Sequence, residues 1–576
     1  MKKLIVRKIL PPTANSALHA QPLLQRLYAL RGVRDATELD LSLERLIPVS
    51  ELKGVQPAVE LLLHHFQQQS RIMIIGDFDT DGATSTALMV RQLRRLGYQH
   101  VDYLVPNRFK FGYGLTPEIV ALAAQSNPDL IVTVDNGMSS IAGVAAANAL
   151  GIQVLITDHH LAGAELPAAV AIVNPNAVDN AFASKALAGV GVAFYVMAAL
   201  TRAMQLQALV SKDNTSVAEL LDLVALGTVA DVVPLDVNNR ILVAQGLKRI
   251  RAGRCVPGIR ALLAVANKRF ETCVATDLGF QAGPRLNAAG RLDDMRLGIQ
   301  CLLTDDEGQA RIMVAQLNQL NLDRRDIETQ MQAEAMAALT DMQLNEEALP
   351  LGLCLYDDSW HQGVVGLVAS RIKDRVNRPV IAMAKADDNI LKGSARSIPG
   401  VHIRDVLDAI ATRHPQLIDK FGGHAMAAGL SIQAQNLELF QKAFDEEVQR
   451  WMTHDDAVGI VHSDGELTAT DFTLDTARLL RESGPWGQNF PEPLFDGEYR
   501  VVETRILGER HLKLKVQVGN GACEALAFRY FDHDDAMPIV ANDRVHLAYR
   551  LDANEYQGVE RLQLIVEQLQ KVPSAN

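Results

Sequence analysis

The chain has 576 residues, far more than one hydrophobic core can serve, so three or four domains are expected. Hydrophobic residues make up 48% of the sequence and charged residues 22%, proportions that exclude a wholly disordered or low-complexity protein. The net charge is −12, from 56 basic and 68 acidic residues. This charge does not exclude a nucleic-acid partner, because bound divalent cations and a locally basic groove can offset an acidic surface.

Targeting signals are not evident in the sequence. The opening residues contain no apolar stretch of signal-peptide length, and no later run reaches about 18 uninterrupted apolar residues. The 5 cysteines are scattered without a C-x-x-C pair, so neither a disulfide framework nor a zinc knuckle is predicted. These features predict a cytoplasmic protein without a membrane partner.

The first half of the chain predicts an α/β domain. Residues 1–50 are expected to form an N-terminal extension whose role is not legible, and residues 51–303 alternate short apolar runs with helical patterns. Such alternation predicts a parallel sheet, with strands at 71–75, 129–134, 152–156 and 170–173. Acidic residues or histidines directly follow the first three strands, at the sheet edge where α/β proteins bind ligands.

The first of these polar clusters contains three aspartates at alternate positions, Asp77, Asp79 and Asp81. Carboxylates so close together repel one another unless a cation holds them. An EF-hand loop also begins this way, but its twelfth position would be Leu88 rather than a bidentate Glu, and the cluster follows a strand. We therefore predict a cation site of another type.

Three further clusters carry similar chemistry. Asp135 follows the second predicted strand, and Asp158, His159 and His160 follow the third. Adjacent histidines project in different directions, so one can bind a metal while the other faces substrate, and Asp158 can orient an imidazole. Asp231 follows an apolar helical run, where burial would require a cation. A helix-capping role is the alternative for this residue.

This ligand set favours a particular metal chemistry. Oxygen-rich sites with one or two imidazoles and no thiolate prefer Mg²⁺ or Mn²⁺ to zinc. The carboxylates suffice for two ions that share one ligand. Two ions about 3.5 to 4 Å apart favour hydrolysis of a phosphoester.

The second half of the chain contains three predicted segments. Residues 304–349 predict a long amphipathic helix, of which about 30 residues would span roughly 45 Å. It can bridge two domains and line a cleft, or belong wholly to one domain. Residues 350–455 predict a second α/β domain. Residues 456–576 predict short strands, including a hairpin at 511–528, in either an OB barrel or a small sandwich.

These motifs resemble the DHH phosphoesterase family. The four catalytic motifs of that family are similar to Asp77-Phe-Asp-Thr-Asp81-Gly, Val134-Asp-Asn-Gly137, Asp158-His-His160 and Gly227-Thr-Val-Ala-Asp231. The accompanying DHHA1 domain is similar to Trp360-His-Gln-Gly-Val-Val-Gly366, Gly393-Ser-Ala-Arg-Ser397 and Phe421-Gly-Gly-His-Ala-Met-Ala-Ala-Gly429. Gly283-Pro-Arg-Leu-Asn-Ala-Ala-Gly-Arg291 and the C-terminal β module resemble the single-stranded-DNA exonucleases of this family. The likeness covers about 70–570.

The resemblance implies an α/β fold class: a parallel-sheet DHH domain and a smaller α/β DHHA1 domain joined by a long helix, plus a C-terminal all-β OB-like domain. It implies a metal-dependent 5′→3′ exonuclease that hydrolyses single-stranded DNA to 5′-mononucleotides in recombination and mismatch repair. Two divalent ions, Mg²⁺ or Mn²⁺, are the implied cofactors. A single-strand-binding protein and a repair helicase are the implied partners.

The resemblance also implies roles for individual residues. Asp77, Asp79 and Asp135 would hold one ion, and Asp81, Asp135, His159 and Asp231 the other. His160 would contact the scissile phosphate, with Asp158 as the second catalytic residue. The implied substrate-binding residues are Arg108, Arg285, Asn287, Arg291, His361, Ser394, Arg396, Gly422, Gly423 and His424. Glycines and donors of this kind suit a phosphate-binding pocket, although the run at 422–424 taken alone is more often a turn.

The β module is expected to bind single strands non-specifically through basic and aromatic side chains. The candidates are Arg505, Arg510, Lys513, Lys515, Phe528, Arg529 and Tyr530.

Two other functions compete with this interpretation. A DHH phosphodiesterase for cyclic dinucleotides or very short oligonucleotides would share the catalytic motifs, but would need neither the long helix nor the β module. An inactive repair or replication scaffold would have no need to retain mutually repelling acids.

Overall fold

The computed structural model describes residues 3–11, 18–106, 114–163, 165–213, 215–341, 349–387, 389–453, 457–532, 538–556 and 559–573. The chain forms two compact units. The N-terminal unit comprises Ile9–Asn321 and Leu479–Glu492, and the C-terminal unit comprises Met1–Lys8, Leu322–Arg478 and Pro493–Asn576.

The N-terminal unit contains a parallel five-stranded sheet. Its strands are β2 (Arg71–Ile75), β3 (His100–Leu104), β4 (Leu130–Val134), β5 (Gln153–Thr157) and β6 (Ala171–Val173). They lie in the order β3-β2-β4-β5-β6, and every neighbouring pair is parallel. The predicted parallel sheet is therefore confirmed. The additional strand β3 carries exposed His100 and Asp102 at the sheet edge, so its sequence lacks the apolar run that marked the other strands.

The strand order determines where ligands can bind. The chain moves from β2 outward to β3 and then returns to β4 on the other side of β2. Crossover connections therefore leave in opposite directions at the carboxyl ends of β2 and β4, which creates the crevice that ligands occupy in open α/β sheets. The two predicted aspartate motifs begin directly after these two strands.

Helices surround this sheet and extend the unit. They are α1 (Pro22–Leu30), α2 (Val55–Gln67), α3 (Thr80–Arg95), α4 (Pro117–Ala124), α5 (Ile141–Ala149), α6 (Gly189–Leu206), α7 (Leu221–Ala230), α8 (Val237–Arg251), α9 (Pro257–Val265), α10 (Gly283–Leu292) and α11 (Arg296–Leu303). Short 3-10 turns occur at Ala36–Leu39, Leu43–Arg45, Val49–Glu51, Val217–Leu220 and Phe270–Thr272. A helical turn, Ala275–Asp277, and a π-helical segment, Leu278–Ala282, lead into α10.

The core of the unit explains its most apolar helix. Strand β4 is buried along its whole length, and α3 and α6 are buried along most of theirs. Among the described residues, α6 alone is long and apolar enough to pass the length and composition test for a membrane span. Because 67% of α6 is buried inside the protein, it is a core helix of this unit.

A single long helix, α12 (Glu307–Asp341), joins the two units. Its 35 residues correspond to about 52 Å. Residues up to Asn321 belong to the N-terminal unit and those from Leu322 to the C-terminal unit. The prediction of a connecting helix is confirmed, and the alternative that it belongs to one domain is wrong.

The C-terminal unit contains a mixed five-stranded sheet. Its strands, in the order β10-β11-β9-β8-β7, are β7 (Leu353–Tyr356), β8 (Val380–Lys385), β9 (Ile390–Arg396), β10 (Lys420–Gly423) and β11 (Ala427–Gln433). The associated helices are α13 (Val365–Val376), α14 (Ile403–Arg413) and α15 (Leu437–Val448), with a 3-10 turn at Ala434–Asn436. Apolar residues of both the sheet and α14 and α15 form one core cluster, as expected for a second α/β domain.

The last part of the C-terminal unit is a closed five-stranded barrel. Its strands are β13 (Phe495–Leu507), β14 (His511–Val518), β15 (Gly521–Ala527), β16 (Arg544–Tyr556) and β17 (Val559–Lys571), in the order β13-β14-β15-β17-β16. Strands β14 and β15 form the predicted antiparallel hairpin. Strand β15 pairs in parallel with β17, and the barrel closes through β13 and β16. Closure excludes the sandwich and leaves the OB-like barrel.

Two segments pair with parts of the protein that are distant in sequence. Strand β1 (Leu4–Arg7) pairs in parallel with β12 (Ile460–Ser463), and Arg7 forms a bidentate ion pair with buried Asp496 at 2.8 to 3.0 Å. Helix α16 (Leu474–Glu482), which follows a 3-10 turn at Ala469–Asp471, ends in the segment that returns to the N-terminal unit. There the ring of Trp486 stacks on Tyr28. A final 3-10 turn, Tyr530–Asp532, follows β15.

Candidate functional site

The loop after β2 positions the first three aspartates. Asp79 caps α3 by accepting a hydrogen bond from the amide of Gly82 at 3.0 Å. A Cβ on Gly82 would lie 2.6 Å from the carbonyl oxygen of Asp77, so only glycine permits this tight turn. Asp77 and Asp81 are both buried. Helix α3 starts at Thr80, and Asp81 lies in its first turn.

A helix N-terminus holds the carboxylate of Asp81. The amide of Gly189 donates to Oδ2 at 2.7 Å, and the amide of Val190 donates to Oδ1 at 2.9 Å. Both amides belong to the first turn of α6, where the partial positive charge of the helix favours an anion. Because both of its oxygens are held, the orientation of Asp81 is set before any ligand arrives.

The residues after β4 and β5 face the same position. Asp135 adopts a left-handed backbone, with φ of +61°, and lies 3.1 Å from Nε2 of His159 through its Oδ1 atom. The same Nε2 is 3.5 Å from Oδ2 of Asp231, at the carboxyl end of α7. Val232, the next residue, has φ of +62°, which is costly for a β-branched side chain. The fold thus maintains strain beside Asp231.

The structure brings all six predicted metal ligands together. Asp77, Asp79 and Asp135 each offer an oxygen within 4.8 Å of the others. A second group within the same limit consists of Asp81, His159 and Asp231. A third group links Asp135 with both histidines, so Asp135 joins the two halves of the site.

The electrostatics of the site fit divalent cations. Burial and the neighbouring charge of Asp231 raise the pKa of Asp81 to about 7, and burial and Asp79 do the same for Asp231. Burial and four neighbouring aspartates raise the pKa of Asp135 well above its usual range. Neither Nε2 of His159 nor Oδ2 of Asp231 forms a hydrogen bond to any described residue, although both atoms are buried. Divalent cations would relieve the repulsion between the aspartates and would bind Nε2 of His159 and Oδ2 of Asp231.

The two histidines have opposite electrostatic settings. Burial and the charge of His160 lower the pKa of His159, which favours the neutral imidazole that a metal requires. Burial also acts to lower the pKa of His160, but its hydrogen bond to Asp158 and the charge of that carboxylate raise the value to about 9. Nδ1 of His160 lies 2.7 Å from Oδ1 of Asp158. His160 is therefore cationic at neutral pH, and its Nδ1 is committed to Asp158.

Helix α10 supports the aspartate loop. Oδ1 of Asn287 accepts hydrogen bonds at 2.8 Å from both the amide and the hydroxyl of Thr80. Arg285 is buried and donates to Asn318 and to the carbonyl of Gln281.

These contacts bear on the three residues of α10 for which the sequence predicts substrate binding. The hydrogen bonds of Asn287 and Arg285 show that these two residues brace neighbouring parts of the protein. Arg291 is partly exposed. Substrate contact by all three stays a prediction. Arg108 lies outside the described residues.

The predicted phosphate pocket lies in the C-terminal unit. Strand register places Ser394 on β9 and Gly422 on β10 opposite Gly429 of the intervening strand β11, so the two residues flank Gly429 on either side. Nη1 of Arg396 donates to Oγ of Ser394 at 2.9 Å. A Cβ on Gly366, in the first turn of α13, would lie 2.9 Å from both side chains. The side chains of Ser394 and Arg396 therefore lie beside the amino-terminal end of α13.

The other predicted pocket residues lie on adjoining segments. Gly423 ends β10 with φ of +148°, and the amide of His424 donates to the carbonyl of Ala427. Nδ1 of His361 accepts from the amide of Gly363 just before α13. Placement of these two histidines in one pocket with Arg396 stays a prediction.

Gly189 is a site residue that the sequence motifs did not single out. Besides donating its amide to Asp81, it lies so close to Asp135 that a Cβ would be 2.6 Å from Oδ1 of that residue. Its only local signal is its place at the start of an apolar helix.

We expect Gly189→Ala to lower the free energy of unfolding by about 1–3 kcal/mol, as overpacking does. Urea denaturation of the metal-free protein measures this change. Gly163→Ala is the matched control, since the nearest atom to its Cβ would be 3.7 Å away. Equal stability of the two variants would contradict the proposed crowding.

Three family models match successive parts of the chain. The DHH family N-terminal domain matches residues 71–228, the DHHA1 domain matches 350–450 and the RecJ OB domain matches 463–568. The chain is 53% identical to the single-stranded-DNA-specific exonuclease RecJ of Escherichia coli (strain K12) over 98% of both proteins.

Two solved structures share the fold along the whole chain. These are RecJ from Thermus thermophilus in complex with Mn²⁺ (TM-score 0.80, 30% identity) and with Mg²⁺ (TM-score 0.75, 29% identity). Each match covers 100% of this chain, and 80% and 79% of the respective relative.

The motifs, the arrangement of domains and near full-length similarity agree, and the chain belongs to the RecJ family of single-stranded-DNA-specific exonucleases.

Proposed function

We propose that this protein is a metal-dependent exonuclease that hydrolyses single-stranded DNA from its 5′ end and releases 5′-mononucleotides. The observation that carries the proposal is the pair of carboxylate-rich groups joined by Asp135 at the carboxyl edge of the parallel sheet. The single-stranded-DNA specificity of the E. coli relative and the ions in the two Thermus structures support it.

Each ligand group has the composition to hold one ion. Asp77, Asp79 and Asp135 would hold one Mg²⁺ or Mn²⁺, and Asp81, His159 and Asp231 would hold the other, with Asp135 shared. When bound, such a pair supplies Lewis acidity at phosphorus and makes water a stronger nucleophile near neutral pH.

His160 has the properties of a phosphate-binding residue. Because Asp158 engages Nδ1, the ring would contact a substrate oxygen through Nε2. The raised pKa of about 9 keeps the ring charged, and a cationic donor stabilises the negative charge that grows on a phosphate in the transition state. Asp158 is itself held by the amides of Met138 and His159. It therefore orients His160 and balances its charge.

Direction requires a separate recognition of the strand end, since the ligand groups would act on any phosphodiester presented to them. The Arg396, Ser394 and Gly422 pocket offers charged and neutral donors next to the first turn of α13. A terminal phosphate bears more negative charge than an internal diester and binds such donors more strongly. We assign this pocket to the 5′ phosphate.

One assay tests the proposed activity. Single-stranded DNA labelled at the 5′ or the 3′ end is incubated with Mn²⁺ or Mg²⁺, with a duplex and a cyclic dinucleotide as controls. We expect the 5′ label to appear at once in mononucleotides and the 3′-labelled strand to shorten gradually. Full activity in excess chelator would contradict the metal dependence, and early release of the 3′ label would contradict the direction. Preferred cleavage of the cyclic dinucleotide would favour the alternative phosphodiesterase.

The barrel is proposed to add affinity for single strands. Phe528 is 57% exposed directly after β15, beside the ring of His511. Exposed aromatic rings on OB barrels stack on bases with little sequence preference.

We expect Phe528→Ala to weaken binding of a long single strand by about fivefold, corresponding to about 1 kcal/mol. The affinity for the strand is measured by fluorescence anisotropy in a catalytically inactive background. Val502→Ala, another exposed apolar position on the barrel, is the control. An equal loss in both variants, or none in either, would contradict stacking by Phe528.

The proposal also includes a cytoplasmic location and a role in recombination and mismatch repair. The proposed partners are a single-strand-binding protein and a repair helicase. They rest on membership of the family. The match to the RecJ OB domain favours this function over the cyclic-dinucleotide phosphodiesterase and the inactive scaffold.

A further inference from the structure

The histidine pair lies outside regular secondary structure, yet side chains satisfy all four of its main-chain polar groups. The amides of His159 and His160 donate to Oδ1 of Asp158 at 2.7 and 3.1 Å. The carbonyl oxygen of His159 accepts from Nδ2 of Asn176 at 2.6 Å, and that of His160 accepts from Nδ2 of Asn174 at 2.8 Å. Asp158 thus restrains the donor side of the dipeptide, and the two asparagines restrain its acceptor side.

The two asparagines are themselves rigidly held. Asn174 follows edge strand β6 and is fully buried. Its Oδ1 accepts from the amide of Asn176 at 2.7 Å, and its carbonyl accepts from Nδ2 of Asn180 at 2.7 Å. Asn176 also donates to the carbonyl of Lys185 at 3.1 Å. A carbonyl can only accept, so each amide must present its nitrogen to the histidine backbone.

We infer that Asn174 and Asn176 are positioning residues that place the rings of His160 and His159 through their carbonyl groups. The inference rests on the proposed function, since it concerns the metal-binding and phosphate-binding roles given to these histidines. Rotation of either peptide plane would move the attached ring. Asp158 contacts the two amides and the ring of His160, but the carbonyl groups accept from the two asparagines, so Asp158 alone does not fix the peptide planes. Asn176 therefore governs metal affinity through His159, and Asn174 governs turnover through His160.

The main test replaces the amide donor by an acceptor of the same shape. In Asn176→Asp an oxygen faces the carbonyl of His159 and repels it. We expect the dissociation constant for Mn²⁺, measured by electron paramagnetic resonance, to rise at least about tenfold, as for other groups that orient metal ligands. Asn148→Asp is the matched control, because Asn148 also donates to a backbone carbonyl, that of Ala168 at 2.9 Å, but is exposed. The control should bind Mn²⁺ like the unmodified protein.

A double-mutant cycle separates positioning from general loss of structure. If Asn176 acts through His159, then Asn176→Asp should add less than about twofold to the loss of Mn²⁺ affinity in a His159→Ala background. Full additivity in the two backgrounds would overturn the inference. Asn176→Ala, which adds no charge, should change Mn²⁺ affinity in the same direction, and it replaces the aspartate variant if the latter does not fold.

Asn174→Asp provides an independent test of the positioning role. At saturating Mn²⁺ we expect a lower kcat with an unchanged KM, while Mn²⁺ affinity falls less than in Asn176→Asp. An unmodified protein that binds Mn²⁺ and degrades single strands, together with asparagine variants that match it, would overturn only the positioning role. An unmodified protein that does neither would overturn the proposed function as well.

Discussion

Asp135→Asn is expected to lower the rate of single-strand hydrolysis by at least about 10³-fold, the upper range for removing one preorganised electrostatic contact of a transition state. Asp135 belongs both to the group with Asp77 and Asp79 and to the group with His159 and His160, so we expect its loss to weaken the binding of both proposed ions. The rate is measured at saturating Mn²⁺ on 5′-phosphorylated DNA, and Mn²⁺ binding is measured in parallel. We expect fewer bound ions together with the loss of rate.

The same substitution should not destabilise the metal-free protein. Burial and the surrounding aspartates raise the pKa of Asp135, so its ionised form is unfavourable in the fold. Removing that charge relieves repulsion, and the metal-free Tm should stay equal or rise, while the increase that Mn²⁺ produces should be lost.

Asp222→Asn is the matched control for Asp135→Asn. Asp222 is also buried, with a raised pKa, but it accepts from the amide of Val256 and belongs to none of the described ligand groups. A near-normal rate in Asp135→Asn, or an equal loss in the control, would contradict the shared-ligand role.

Arg396→Ala is expected to reduce the preference for 5′-phosphorylated over 5′-hydroxyl DNA by about 10- to 100-fold. A hydrogen bond between charged partners contributes about 1.5–3 kcal/mol, which corresponds to this factor. Nη1 of Arg396 already bonds to Ser394, so the guanidinium is held in place next to the first turn of α13. A guanidinium carries several N–H donors in one plane, a geometry that suits a terminal phosphate.

The measurement is kcat/KM on two oligonucleotides that differ only in the 5′ group. Cleavage of the 5′-hydroxyl substrate and affinity for Mn²⁺ should change little, because the ligand groups are intact. Arg404→Ala removes an exposed arginine from α14 in the same unit and should leave the preference unchanged. An unmodified enzyme that cleaves both substrates equally would show that the pocket does not detect the 5′ end.

The clustering of the predicted ligands could be anticipated because its signals are local. Asp77, Asp135 and Asp158 each follow an apolar run, and parallel strands bring their carboxyl ends to one edge of a sheet whatever their order. Asp231 has a weaker sequence signal, since it ends a helix and does not follow a strand. Its distance to Nε2 of His159 comes from the packing of α7 against the sheet domain.

The supporting contacts could not be predicted. Asn287 was expected to bind substrate, but its Oδ1 accepts two bonds from Thr80, 207 residues earlier. Strand β1 was assigned to an N-terminal extension, yet it pairs with β12 in the C-terminal unit. Four residues of mixed polarity carry no pattern that could indicate a distant partner.

The sequence by itself determined the parallel sheet, the long helix, the barrel hairpin and the identity of the polar clusters, because hydrophobic periodicity and turn residues act over a few positions. Only the tertiary structure decided the strand order, the amides that hold Asp81, the crowding at Gly189 and the asparagines behind His159. These depend on contacts between segments far apart in the chain, each made by a single residue that stands alone in its local sequence. Local sequence patterns therefore identify the polar clusters of the site. Long-range packing orients these clusters, and it leaves no repeated pattern in the sequence.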